Sequence, residues 1–347
     1  MKILNAIHAQ SIGGVDQMFR NYTSALTKMG HEVALLVSNN NNFNYNDVKK
    51  IFKLNNFSQI FDVFYLFLIL IIFRPQIVIC HSNRIMKWMK ILGKITSVKS
   101  IAVNHGISFK SSLNCDYIIN INQQIHEMVV NSGFEAGKSF IIPNMIEVVQ
   151  DYKKRELKES MVIGIYGRIE PRKGFDILIA AAKILQDKNH DFRLKIGGFE
   201  VVGSYNLQTI KNLAKDAGIY DRCDFVGVIS DKEDFFKDVD IFVVPSREEP
   251  FGLVILEAFA NSVLTISSDS VGGKILIEDE KDGLLFAREQ PLSLAKKIIF
   301  VKENRQKYAD FTKNAYDKLL KNYGFSAFCA NLERFLMIFD KKDRVFY

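Results

Sequence analysis

The sequence predicts an α/β protein built from two parallel-sheet domains, and three observations carry that prediction. The chain has 347 residues, 48% of them hydrophobic, which favours two cores over one. Short Val/Ile runs alternate with helix-like segments along its whole length, the pattern of strands joined by crossover helices. Each half also repeats one plan, in which a strand runs into a glycine turn and then a helix.

The first-half strands are expected at Lys2–His8, Val33–Ser38, Ile77–Cys80, Ser100–Asn104 and Tyr117–Ile121. Helices should fill Val15–Met29, Phe57–Phe73, Asn83–Thr96 and Gln124–Ser132, giving a doubly wound unit. Met1–Ile7 turns polar too soon for a signal peptide and reads as the first strand. The Asn-rich stretch Asn39–Asn46 reads as a mobile polar loop. Ile60–Phe73 is strongly apolar but includes Asp62, and it falls short of the ~20 residues needed to span a bilayer. A buried helix is expected there, with a partly membrane-embedded helix as the alternative. Pro143-Asn144 ends a strand and Tyr152–Ser160 is dense in charge, so 143–160 reads as a linker. A second series opens at Met161–Tyr166 and continues through Arg193–Gly197, Cys223–Val226, Asp240–Val244 and Leu264–Ser267. The domains are therefore placed at 1–150 and 160–324. The aromatic-rich tail, Gly324–Tyr347, should pack as a helix.

Charge is unevenly spread. The net charge is +7, yet residues 1–155 hold 17 Lys+Arg against 9 Asp+Glu, and the remainder holds 29 against 30. An excess of +8 on the N-terminal half suggests an anionic surface or acceptor on that side, although ordinary solubility charge gives the same count. Arg84–Lys99 places Lys87, Lys90 and Lys94 beside Trp88 and Met89. Such a helix suits an anionic membrane, or is simply a solvated basic face. Cys80, Cys115, Cys223 and Cys329 are scattered and have no His at metal spacing, which argues against a disulfide framework and a zinc site and fits a reducing cytosol.

The most informative stretch is Pro245–Glu257. Glu249 and Glu257 are separated by a Pro250-Phe251-Gly252 turn and an apolar run that continues as good helix sequence. Glu249 should end a loop, the amides near Gly252 and Leu253 should open a helix, and Glu257 should lie just over a turn into it. Helix-opening amides attract phosphate, and a carboxylate on each side can hold hydroxyls. That layout suits a nucleotide-sugar. A buried strand, a turn and a helix with two unrelated acids would read the same way. The pattern resembles the Glu-x7-Glu signature of retaining GT-B glycosyltransferases, in particular family 4.

That resemblance implies two Rossmann-like domains facing each other across a cleft, with the tail from residue 325 returning to the first. It extends to Gly167-Arg168 and Lys173-Gly174, which are similar to the family's diphosphate-holding Gly-Arg…Lys-Gly pattern. Fixed cations there stabilise a leaving group as it gains charge, and Arg168 can grip phosphate bidentately. Gly13-Gly14, after Ser11-Ile12, lacks the dinucleotide fingerprint but resembles the family's glycine loop, whose second glycine meets the donor phosphates. His105 matches a His that points toward the transferred sugar, while His8 and His81 are given no catalytic part. Phe225–Val228 matches the strand and loop lining the base pocket, so Val228 and Ile229 are expected to contact the base through their main chain.

Asp238-Val239-Asp240 imitates a metal-binding Asp-x-Asp, but it runs straight into a strand, and Asp240 reads as structural. No metal and no cofactor are expected. Two departures stand out. Lys274, Ile275 and Leu276 follow Val271-Gly272-Gly273 where the family carries an acid, and Met145 follows Asn144 where glycine is common. The resemblance is dense from 161 to 287 and thin from 1 to 150.

The implied activity is retaining transfer from a nucleotide-sugar, UDP-linked by expectation, to a glycan or lipid-linked acceptor, by front-side attack with no protein nucleophile. A composition rich in Asn, Lys and Ile points to an AT-biased bacterium. The expected setting is cytoplasmic assembly of surface glycan, such as lipopolysaccharide or capsule, with peripheral attachment to the inner membrane face and no nucleic-acid partner. A nucleotide-sugar epimerase or hydrolase, or a non-catalytic nucleotide-sugar-binding subunit, are the alternatives. An oxidoreductase is disfavoured by the missing fingerprint.

Overall fold

The computed structural model describes residues 1–8, 13–39, 48–54, 58–200 and 205–340. Ser11, Ile12, most of the Asn-rich stretch (40–46) and the last tail residues (341–347) lie outside them. The chain forms two units: Met1–Met145 with the tail from Phe325 on, and Ile146–Gly324.

The first unit contains β1 (Lys2–Ala6), α1 (Gly14–Lys28), β2 (Glu32–Ser38), β3 (Lys50–Leu54), α2 (Gln59–Phe73), β4 (Ile77–Cys80), α3 (Asn83–Thr96), β5 (Lys99–Asn104), β6 (Tyr117–Asn120), α4 (Gln123–Asn131) and β7 (Ser139–Ile141). All strands run parallel, in the order β3-β2-β1-β4-β5-β6-β7. The central strand β4 is buried throughout and reads as a continuous apolar run, as a strand covered on both faces must, and β1 is buried from Ile3 to Ala6. The edge strand β3, which the sequence reading passed over, carries Lys50 and Lys53, charges that discourage further strand pairing.

The apolar segment over α2 corrects an expectation. The helix forms, but only one side is buried, through Asp62, Leu66, Ile69, Leu70 and Phe73. Ile60, Phe61, Phe64, Tyr65, Leu68, Ile71 and Ile72 face outward. A short helix on a sheet can bury only one side, and this one is apolar on both.

The second unit contains β8 (Met161–Ile169), α5 (Phe175–Asp187), β9 (Phe192–Glu200), α6 (Leu207–Asp216), β10 (Cys223–Gly227), α7 (Lys232–Lys237), β11 (Ile241–Val244), α8 (Leu253–Ala260), β12 (Leu264–Ser268), α9 (Val271–Leu276), β13 (Leu284–Phe286), α10 (Pro291–Glu303) and α11 (Tyr308–Tyr323). Its parallel sheet has the order β10-β9-β8-β11-β12-β13. The core is aliphatic and aromatic, with Ile163, Ile165, Leu178, Leu194, Ile241, Val243 and Ile266 at or below 3% exposure. The charged segment after Ile146 is tied to this unit: Arg155 donates to the carbonyls of Phe236 and Lys237, and Lys153 N donates to Ser262 Oγ. The tail helix α12 (Phe325–Asp340) packs in the first unit, where Phe328 meets Tyr22 edge-on and Phe335 meets Phe140.

In doubly wound sheets, ligands bind beyond the carboxyl ends of the strands where the strand order reverses. That point falls between β8 and β11 in the second unit and between β1 and β4 in the first.

Candidate active site

In the second unit the chain leaves β8 through Gly167 and Arg168 and enters α5 through the turn Pro171–Lys173 and Gly174. It leaves β11 through Pro245 and Arg247 and enters α8 through Gly252. These two loops flank the reversal, and they meet. Lys173 Nζ lies 2.5 Å from Glu249 Oε2, and both side chains are largely buried. Arg168 is more open, with Glu170 3.9 Å away.

Arg247 holds the two loops in register. It grips both oxygens of Asp176 at 2.9 and 2.7 Å, donates to Pro171 O at 2.6 Å and pairs with Glu289 at 3.0 Å. Its own amide donates to Arg172 O. Burial pushes the Asp176 carboxyl up, but Arg247 and nearby amides hold it net below its usual range, so it stays ionised. Sequence reading gave Arg247 no role, although it lies within the stretch Pro245–Glu257.

Two glycines make the close approach possible. Gly174 has φ +71°, and a Cβ there would lie 2.1 Å from Pro245 O. Gly272 donates its amide to Glu249 O at 2.7 Å, and a Cβ on it would lie 2.3 Å from Phe251 O. The Val271-Gly272-Gly273 segment thus forms the start of α9 and supports the Glu249 loop, while Lys274 points to solvent. Gly174→Ala should combine left-handed strain of ~1–3 kcal/mol with a backbone collision. Gly218 has φ +68°, and a Cβ there would meet only Gln186 Nε2 at an ordinary 3.9 Å, so Gly218→Ala isolates the strain. Melting of both variants is expected to show Gly174→Ala clearly the less stable, and equal losses would dismiss the collision.

Glu257 lies in α8 with 6% exposure. It accepts hydrogen bonds from the Tyr166 hydroxyl and from Lys232 Nζ. Burial, and the neighbouring Glu257 charge, push the Tyr166 phenol well above its usual range, so it remains a donor. Neither Tyr166 nor Lys232 was singled out from sequence. Tyr166, Lys173, Ser246 and Val254 line one small recess, which brings the Lys173 and Glu257 arrangements together. The Phe251 ring is buried against Tyr323, which leaves only its main chain for a ligand. Leu253 opens α8, whose first amides have no carbonyl partner inside the helix. Val228 is exposed beyond Gly227, and Ile229 packs where a Cβ on Gly197 would sit. Asp240 is buried and accepts from Val162 N at 2.9 Å, a structural post beneath β8 and β11.

In the first unit, Gly13 has φ 154° and ψ −168°, backbone that suits glycine, and Gly14 begins α1. His105 follows β5, with Nε2 3.0 Å from His81 Nδ1 and the two rings stacked. Burial lowers His105 to about 4 and His81 well below its ordinary value, so both are neutral near pH 7. One ring must donate to the other, and among the described residues His105 Nδ1 and His81 Nε2 are buried without a hydrogen-bond partner. His81, set aside from sequence, is therefore the group that orients His105. A depression of about 330 Å³ at Lys99, Asp116 and Lys138 lies at the starts of β5, β6 and β7, the opposite end of that sheet from His105.

Residues 149–318 match the family described as Glycosyl transferases group 1. A D-inositol 3-phosphate glycosyltransferase of Catenulispora acidiphila is 29% identical over 229 residues, 61% of this chain and 53% of that one. The lipopolysaccharide core biosynthesis mannosyltransferase LpsB of Rhizobium meliloti is 26% identical over 182 residues, 50% of this chain and 52% of that one. The chain spans about half the length of these curated relatives. HepE of Anabaena, crystallised with UDP, aligns over 97% of this chain and 100% of its own with a TM-score of 0.85 at 17% identity. The same protein has also been crystallised with UDP-glucose. These structural likenesses establish the fold.

Proposed function

We propose, from the match of residues 149–318 to the glycosyl transferases group 1 and from the GT-B fold, that the chain transfers a sugar from a nucleotide-sugar donor to a glycan or lipid-linked acceptor. The observation that carries this reading is the Lys173–Glu249 pair, clamped by Arg247 beside Arg168 at the switch point of the second sheet. An ion pair at the mouth of a helix can be exchanged for a diphosphate at Lys173 and a sugar hydroxyl at Glu249. UDP is the proposed nucleotide, since HepE was crystallised with UDP and UDP-glucose. Ribose is assigned to Glu257, and the base to the main chain around Val228. Gly14 and His105 of the first unit are assigned to the donor phosphates and the transferred sugar.

The proposed course is retention by front-side attack. The acceptor oxygen forms its bond to the anomeric carbon on the face from which the diphosphate leaves, and a departing phosphate oxygen takes the acceptor proton. The setting proposed is the cytoplasmic face of a bacterial membrane, in surface-glycan assembly of the lipopolysaccharide or capsule type. Turnover of UDP-sugars with candidate acceptors, read by product mass and by the anomeric coupling of the new bond, tests this. Consumption of donor without an acceptor, giving an epimer or free sugar, would replace transfer with epimerisation or hydrolysis.

No divalent ion is assigned a role, because Arg168 and Lys173 supply the positive charge and Asp240 is engaged inside the sheet. Activity is expected to survive EDTA unchanged. Loss on chelation with recovery on Mn²⁺ would reverse that assignment.

A further inference from the structure

We infer that the outer face of α2 is an in-plane membrane anchor that seats the first unit on an anionic bilayer. The inference rests on the membrane-side acceptor proposed above and names the element that makes the contact.

A helix on the surface of a soluble sheet normally turns polar residues outward. Between Ile60 and Phe73 the only polar side chains are Asp62, which is buried, and Tyr65. The outward positions follow helical spacing and form one stripe, with Ile60 80%, Phe61 73%, Phe64 58% and Ile72 76% exposed. Single exposed apolar residues are ordinary, but a contiguous stripe of this kind marks a contact surface. Among the described residues no helix is long and apolar enough to cross a membrane. With 15 residues, α2 is ~22 Å long against a hydrocarbon core of ~30 Å. Lying in the interface is the arrangement left to it.

The neighbouring helix says what covers the stripe. The β3–α2–β4 and β4–α3–β5 connections move the same way across the sheet, so right-handed crossovers put both helices on one face, and they pack together. The outer side of α3 carries Arg84, Lys87, Lys90 and Lys94 with Ile91 and Ile95, and the helix has no acidic residue. Apolar side chains beside a lysine row complement anionic lipid, at about fivefold in affinity (~1 kcal/mol) for each lysine or arginine close to the surface. A second copy paired about a twofold axis would bring equivalent surfaces together, which works against a surface of one charge.

The test is co-sedimentation of the full chain with vesicles of equal phosphatidylcholine and phosphatidylglycerol, or of phosphatidylcholine alone, at low and high salt. Wild type is expected to pellet with the anionic vesicles and to keep part of that binding at high salt, because the apolar part is not screened. Phe61→Ser/Phe64→Ser/Ile72→Ser should lower the partition ~10²-fold or more at both salts. Lys87→Glu/Lys90→Glu/Lys94→Glu should remove only the salt-sensitive part. Phe64→Trp gives a second readout in an otherwise intact helix, since its fluorescence should be quenched by dibrominated lipid. Wild type remaining in the supernatant, serine variants that bind normally, or an unquenched Trp would overturn the proposal. So would a wild-type dimer that the serine changes split into monomers without any vesicle binding, since that face would then join copies of the chain. No donor or acceptor is present, so failure here leaves sugar transfer standing, and an inactive enzyme that still binds lipid leaves the anchor standing.

Discussion

Replacing Arg168 or Lys173 with Ala is expected to lower kcat/KM by ~10²-fold or more, the scale of losing one preorganised electrostatic stabiliser. The argument begins with charge. A nucleoside diphosphate gains negative charge as the glycosidic bond opens, and a cation already fixed beside it need not reorganise. Lys173 is fixed in this sense, being held at 2.5 Å by Glu249 on a loop that Arg247 clamps. Arg168 is held only loosely, with 38% of its side chain exposed and Glu170 3.9 Å away. The two variants should therefore separate in stability. Arg168→Ala removes an exposed side chain and should change stability by no more than ~0.5 kcal/mol. Lys173→Ala leaves Glu249 without its partner in a largely buried place and should melt lower. Activity should fall in both. Near-normal kcat/KM in both Ala variants would dismiss the diphosphate clamp. A loss confined to Lys173→Ala that tracks its melting point would reduce Lys173 to a structural post.

The parts of this site that could be read from the sequence are those carried by short spacings. Glu249 through Glu257 marks loop, turn and helix because it depends on local backbone chemistry, whereas Lys173-Gly174 was legible only through the resemblance to the family's Gly-Arg…Lys-Gly pattern. Tyr166, Arg247 and His81 escaped because their roles depend on partners 91, 71 and 24 residues away. Such partners meet only once parallel strands have been placed side by side. Lys232 is 25 residues from Glu257 and belongs to the same class. The short strands β3 and β13 were missed for another reason, since three to five residues carry too little pattern to count. The orientation of α2 was hidden because a helix apolar on every side has no periodicity from which to choose a buried face.

The second large effect separates the two glutamates. Glu257→Ala is expected to weaken free UDP and the intact donor together by ~10–100-fold, the worth of hydrogen bonds to a charged acceptor. Glu249→Ala should weaken the donor and turnover while leaving UDP nearly unchanged, because its assigned contact is with the sugar. Neighbouring residues sharpen the comparison. Glu257 already accepts from Tyr166 and Lys232, so its removal leaves the Tyr166 hydroxyl in the interior without its acceptor, at ~1–3 kcal/mol. Part of any UDP loss could then come from a disturbed β8 rather than from a missing ribose contact. Tyr166→Phe removes the hydroxyl and leaves the carboxylate, so it isolates the structural share. If Glu257 contacts the ribose, Tyr166→Phe should retain most UDP affinity, and lowering Lys232 to Ala should cost less than losing the carboxylate, since Lys232 is 42% exposed and can swing aside. Calorimetric titration of UDP into the four variants decides the matter. Equal UDP losses in Glu249→Ala and Glu257→Ala would mean that the roles are misassigned. A loss in Tyr166→Phe as large as that in Glu257→Ala would move Glu257 from ligand contact to support of the sheet.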